Sequence, residues 1–178
     1  MVPDQGAFLI YTDGSCIDNG GQDPVAGWAF VFNEDEGFVS GRLEKEGPSG
    51  ELHPQTSNRA ELRAVIAVLQ FKEWVTEGWS KLVIATDSEY VAKGATDWMK
   101  TWLQNDWKTK NHSPVKNRDL WLQLNSEITK HRVSGMEVCF WRIPRTQNTS
   151  ADFFAKDAAE EDGHIKWQVP RHDMSDAE

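Results

Sequence analysis

Leu82-Val83-Ile84-Ala85-Thr86-Asp87-Ser88 is a short apolar run closed by an acid and a serine, and it stands between two stretches of helical periodicity. Upstream, Asn58-Arg59-Ala60-Glu61 fits a capping box, and Leu62, Val65, Ile66 and Leu69 follow at the i, i+3, i+4, i+7 spacing of one helix face. Downstream, a helical pattern resumes from Glu89 towards Trp102, and a further helix is expected over Arg118 to Lys130. Met136 to Ile143 reads as a strand, and Ser150 caps a last helix through Ala159. Strands separated by helices imply right-handed crossovers and a mixed, partly parallel sheet. Nearer the N-terminus, Ala7-Phe8-Leu9-Ile10-Tyr11 is a buried-strand run that the turn-forming Asp13-Gly14-Ser15 is expected to end. Gly27 to Phe32 and Phe38 to Leu43, with a turn over Asn33 to Gly37, complete an antiparallel meander. The expected order is βββαβαααβα, an α/β fold.

The chain has 178 residues, 39% of them hydrophobic, enough for one compact domain with a sizeable core. That domain is read as residues 6–160, with a lead over 1–5 and a polar tail over 161–178. The 19 basic and 28 acidic residues give a formal charge of −9, which argues against a polyanionic partner unless the bases are concentrated. They are concentrated. Residues 93–132 carry eight bases and four acids, so the rest of the chain is −13. Within that stretch Lys108, Lys116 and other bases alternate with Trp98, Trp102 and Trp107, a pattern that suits phosphate neutralisation and stacking. Trp98 and Trp102 stand one helical turn apart, the spacing of core residues, and a core position is expected for Trp102 and Trp121 but not for Trp98. Two distant cysteines, no basic leader and no long apolar run predict a soluble, intracellular chain without a membrane span. All five histidines lack metal-ligand spacing and are expected at the surface.

Four carboxylates fall at element boundaries: Asp13, Glu61, Asp87 and Asp152. Singly, each has an ordinary structural use, as an Asx turn, the return half of a capping box, an N-cap or a partner of a helix dipole. Together they read differently. Ligands of open α/β sheets collect beyond the carboxyl ends of the parallel strands, and Asp13 and Asp87 occupy two such ends, expected to face one crevice. Converging carboxylates repel one another, so a stable cluster needs a cation, and all-oxygen donors suit Mg²⁺ or Mn²⁺. Phosphoryl transfer with two metal ions is the natural use of such a cluster.

At these residues the chain resembles the type 1 ribonuclease H family, the endonucleases that cut the RNA strand of an RNA/DNA hybrid. Tyr11-Thr12-Asp13-Gly14-Ser15, Ser57-Asn58-Arg59-Ala60-Glu61-Leu62, Thr86-Asp87-Ser88-Glu89-Tyr90-Val91 and Ala151-Asp152 are similar to the four acidic motifs of the family, in its order. Trp98, Trp102, Trp107-Lys108-Thr109 and Pro114 to Trp121 resemble its basic handle and the segment after it. The resemblance implies a five-stranded mixed sheet with helices on both faces, two Mg²⁺ ions per site with Mn²⁺ able to substitute, and a monomer acting on RNA/DNA hybrid. It implies that Asp13 bridges the two ions, that Asp152 helps hold the one activating water, and that Glu61 and Asp87 hold the one at the leaving 3′ oxygen. Products would carry 5′-phosphate and 3′-hydroxyl ends. Asn19, Ser57 and Asn58 match positions that touch the hybrid's sugars and backbone, and Trp98 matches one lining the groove for the DNA strand.

The chain departs from the family in one loop. Many members carry a histidine before the last acidic motif, whereas Trp141-Arg142-Ile143-Pro144-Arg145-Thr146-Gln147-Asn148 stands here. Arg145 lies nearest that position; it cannot relay a proton, but it can contact phosphate and assist turnover electrostatically. Glu89 would add negative charge beside Asp87. Asn148-Thr149-Ser150 matches a glycosylation sequon and is read as accidental. A catalytically silent hybrid-binding module of the same fold, a nuclease with another substrate, and carboxylates that only cap are the competing readings. All four acids are present, which favours the enzyme.

Overall fold

The computed structural model describes residues 6–33 and 37–171. The expected lead 1–5, the middle of the 33–37 turn and His172 lie outside the described residues. Ten elements follow in the expected order: β1 (Ala7–Ile17), β2 (Val25–Asn33), β3 (Gly37–Arg42), α1 (Ser57–Phe71), β4 (Lys81–Thr86), α2 (Glu89–Lys93), α3 (Met99–Gln104), α4 (Arg118–Val133), β5 (Glu137–Arg142) and α5 (Thr149–Glu160). A π-helical stretch, Gly94–Trp98, joins α2 to α3. The sheet order is β3-β2-β1-β4-β5, with β1, β2 and β3 antiparallel and β1, β4 and β5 parallel.

Asp13-Gly14-Ser15 does not end β1. The strand runs on to Ile17 because β2 continues to pair with it, Asp13 opposite Ala29 and Gly14 opposite Trp28. The parallel partner, β4, does stop: its last pair with β1 is Thr12 with Thr86. The turn residues of the sequence mark the end of the parallel half of the sheet, not the end of the strand.

Neighbouring residues of a strand point to opposite faces, and two glycines show where helices press on each face. A Cβ on Gly14 would stand 2.2 Å from the Glu61 backbone nitrogen in α1. A Cβ on Gly27, across from Ser15, would stand 2.3 Å from the Ala159 nitrogen in α5. Helices therefore cover both faces, as expected.

The periodicity of α1 predicts one apolar face, yet nearly every residue from Arg59 to Leu69 is buried. The helix is packed between the sheet and α4, whose Leu120, Trp121 and Leu124 are fully buried. Its N-cap is Thr56, whose hydroxyl accepts from the Arg59 amide at 3.2 Å, so the Asn58–Glu61 capping box does not form. Glu61, not engaged in a capping box, is free for another use. Ser88 caps α2, relieving Asp87 of the same duty, and α5 starts at Thr149 rather than after a Ser150 cap.

Charged groups also enter the core. Arg63 of α1 is fully buried, pairs with Glu44 at 2.8 Å and donates to the Gln168 carbonyl at 2.6 Å. Its guanidinium lies between the Trp28 and Trp167 rings. The described part of the C-terminal segment is thereby held against the domain. His131 is buried as well, a correction to its expected surface position: α4 turns its ring inward, where Nε2 lies 2.8 Å from the Leu69 carbonyl at the end of α1. No helix among the described residues is long and apolar enough to cross a membrane.

Candidate active site

With Thr12 and Thr86 the last parallel pair, Asp13 and Asp87 are the next residues on adjacent strands and emerge side by side. Glu61 reaches them from the first turns of α1, which Gly14 allows to approach β1 closely. A side-chain oxygen from each of Asp13, Glu61 and Asp87 lies within 4.8 Å of the others. Asp152, in the first turn of α5, stands outside this triad but near enough for its charge to act on Asp13. Arg145 spans the gap: Nε is 3.9 Å from Asp87 Oδ2 and Nη2 is 3.7 Å from Asp152 Oδ1. Lys156 bonds the other Asp152 oxygen at 2.6 Å.

Arg145 and Lys156 face Asp87 and Asp152, whereas Asp13 and Glu61 are crowded by like charges. Burial, then the Asp87 charge, push the Asp13 carboxyl up to about 7, while the Gly14 amide pulls the other way. Burial and the charges of Asp13 and Asp87 raise Glu61 well above the usual carboxylate range. Glu61 Oε2 is buried with no hydrogen-bond partner. An orphaned, electron-rich oxygen inside an all-oxygen cluster fits a divalent cation of the Mg²⁺ or Mn²⁺ type.

The remaining predicted residues fall in two groups. Asn19 lies beside the start of α1, its Oδ1 accepting from the Ser57 amide at 3.3 Å, and Asn58 is exposed on the adjoining turn. Trp98, Trp102, Lys108 and Lys116 are carried by the segment running from the π-helical stretch to α4. Trp98 is 38% exposed, whereas Trp102 is half-buried against Trp121 with ring centroids 5.4 Å apart. Trp107 is buried, so it contributes packing rather than a stacking surface, a correction to its expected role. Trp121 is fully buried, as its core reading required. The charge expected of Glu89 is compensated, since the carboxylate is paired with Lys93 and with Arg142 at 3.2 Å.

Sequence reasoning missed Asn148. Its side chain is 1% exposed and donates to both Asp87 Oδ1 and the Thr12 carbonyl at 2.9 Å. Such burial makes the sequon unusable. The only sequence signal was an asparagine four residues before Asp152.

Comparison with known proteins shows the family. Residues 5–160 match the sequence profile of the RNase H family. The chain is 43% identical over 126 residues to a Ribonuclease H of Treponema pallidum, covering 67% of this chain and 72% of that one. It is 39% identical over 143 residues to a Ribonuclease H of Xanthomonas oryzae, covering 80% and 82%. Among solved structures, LC11-RNase H1 in complex with RNA/DNA hybrid superposes with a TM-score of 0.55 at 22% identity, over 85% of this chain and 96% of that one. On the extent of the profile match and the identity of these relatives, the chain belongs to the ribonuclease H family of nucleases.

Proposed function

We propose that this chain is an endonuclease that hydrolyses the RNA strand of RNA/DNA hybrids as a monomer, leaving 5′-phosphate and 3′-hydroxyl ends. The observation that carries this reading is the convergence of Asp13, Glu61 and Asp87 within 4.8 Å where the parallel pairing of β1 and β4 ends. Membership of the ribonuclease H family and the hybrid bound in the LC11-RNase H1 structure support the substrate class.

Two divalent cations, Mg²⁺ or in its place Mn²⁺, would activate the attacking water and neutralise charge on the leaving oxygen when bound. Asp13 would be shared by both, Asp152 would complete one set of donors, and Glu61 with Asp87 the other. The protein's own part is placement. β1 and β4 fix two carboxylates in parallel register, α1 delivers Glu61 next to the ribose whose 2′-hydroxyl separates RNA from DNA, and α5 brings Asp152. Asn19, Ser57 and Asn58, with the backbone of Asp13 to Cys16, hold sugars and phosphates of the hybrid. Trp98 lines the groove for the DNA strand, Trp102, Lys108 and Lys116 add to the surface that binds the hybrid, and Arg145 steadies phosphate charge at the lip of the site.

Cleavage of a hybrid labelled separately on each strand, in Mg²⁺ or EDTA, tests the reading, with duplex DNA and duplex RNA as controls. Metal-dependent cutting confined to the RNA strand is the expected result; binding without cutting identifies a silent hybrid-binding module, and cutting of duplex DNA another nuclease.

A further inference from the structure

Asn148 occupies the N-cap position of α5, where an asparagine side chain ordinarily accepts from a helix amide. Here it makes no such bond. The side chain turns inward instead, giving one Nδ2 hydrogen to the Thr12 carbonyl and the other to Asp87 Oδ1, both at 2.9 Å. The orientation of the amide is forced, because both partners are pure acceptors and a flipped amide would set oxygen against oxygen twice. Asn148 Oδ1 is buried without a partner. Forgoing a cap and leaving an acceptor unpaired both cost stability, so the side chain holds its place at some expense to the fold.

We infer that Asn148 is a positioning residue: it fixes the Asp87 carboxylate so that Oδ2 stays available to a cation, and ties β1 at Thr12 and the residue after β4 to α5. The three elements it joins are those that carry Asp13, Asp87 and Asp152. The same residue closes the turn bearing Arg145, its amide donating to the Arg145 carbonyl at 3.1 Å. The side chain thus links the Asp87 carboxylate to the strand that carries Asp13, while the backbone of the same residue holds the Arg145 turn at the start of α5. The inference rests on the cation-dependent reading given under Proposed function.

The test compares Asn148→Ala and Asn148→Asp with the wild type, alone and combined with Asp87→Asn. It reads kcat and KM on hybrid, and Mg²⁺ affinity by calorimetry without nucleic acid. A partner that orients a metal-holding carboxylate is expected to shift metal affinity and kcat by about 10- to 100-fold. KM for hybrid should not move. Asn148→Asp keeps the side chain's size while putting an acceptor where a donor is needed, so it should lose as much as Asn148→Ala, and it carries the test should the alanine variant not fold. In the Asp87→Asn background, Asn148→Ala should cause no further loss of Mg²⁺ affinity, since the effect runs through Asp87. Folded variants that bind Mg²⁺ as the wild type does, or losses additive with Asp87→Asn, would overturn the inference. A wild type that binds Mg²⁺ but cuts no hybrid would defeat the functional reading instead, while the calorimetric comparison would still decide the role of Asn148.

Discussion

Asp13 and Asp87 stand side by side because the parallel pairing of β1 and β4 ends one residue earlier, at Thr12 and Thr86. Their closeness is a property of strand register, so it exists before any ligand arrives. The fold holds two like charges together in a partly buried place and pushes Asp13 up to about 7.

That shift has a sign. A carboxyl raised in the folded state adds stability in its protonated form, fully present below about pH 4 and lost as the pH rises through about 7. Divalent cation restores what is lost, because it favours the ionised cluster, and at low pH protons compete with it. Millimolar Mg²⁺ should therefore raise Tm more at pH 8 than at pH 5.5 in thermal scans. Equal increments at the two pH values would contradict the cluster's role.

Gly14 is where β1 and α1 meet, with only 2.2 Å between a hypothetical Cβ and the Glu61 backbone. Backbone cannot swing aside as a flexible side chain can. Gly14→Ala is expected to cost about 3 kcal/mol of stability, and to displace Glu61 from Asp13 in whatever folds. Denaturant unfolding and Mg²⁺ binding measure the two effects; a variant of wild-type stability would show that the helix can retreat freely.

Much of the site was legible in the sequence, and its errors have local causes. The four acids stood out because each closed or opened an element. Asp13-Gly14-Ser15 looked like a turn because its composition is that of a turn, and only the antiparallel partner β2, distant in sequence, keeps it extended. Thr56 and Asn58 are both capping types, two positions apart, and nothing local chooses between them. The burial of His131 depends on Leu69 in another helix, and the inward turn of Asn148 on Thr12 and Asp87. Contacts across 60 or more residues leave no periodicity to read.

Arg145 is exposed yet lies within 4 Å of both Asp87 and Asp152. Its contribution is electrostatic and screened by solvent, so Arg145→Ala should lower kcat by about three- to tenfold, in line with a contact of roughly 1 kcal/mol. Arg145→Lys should recover part of the loss. An unchanged kcat in steady-state assays would remove Arg145 from the mechanism.

Hybrid binding should depend steeply on salt. The segment 93–132 carries a net charge of only +4 on a chain of −9, and its Lys93 is already paired with Glu89. KM should rise markedly from low to physiological ionic strength, and Lys108→Ala or Lys116→Ala should each reduce the slope of log KM against log salt by about 1. A KM insensitive to salt would place the hybrid elsewhere.

The central claim is that the carboxylates perform chemistry rather than merely bind or cap. Asp87→Asn preserves the shape of the side chain and removes its charge, so single-turnover cleavage and hybrid affinity measured on the same preparation test that claim most directly. The account predicts a loss in rate of at least about a hundredfold, near 3 kcal/mol of barrier, with hybrid affinity unchanged. A variant that cuts as fast as the wild type, or a wild type that binds hybrid and cuts it with neither Mg²⁺ nor Mn²⁺, would contradict it.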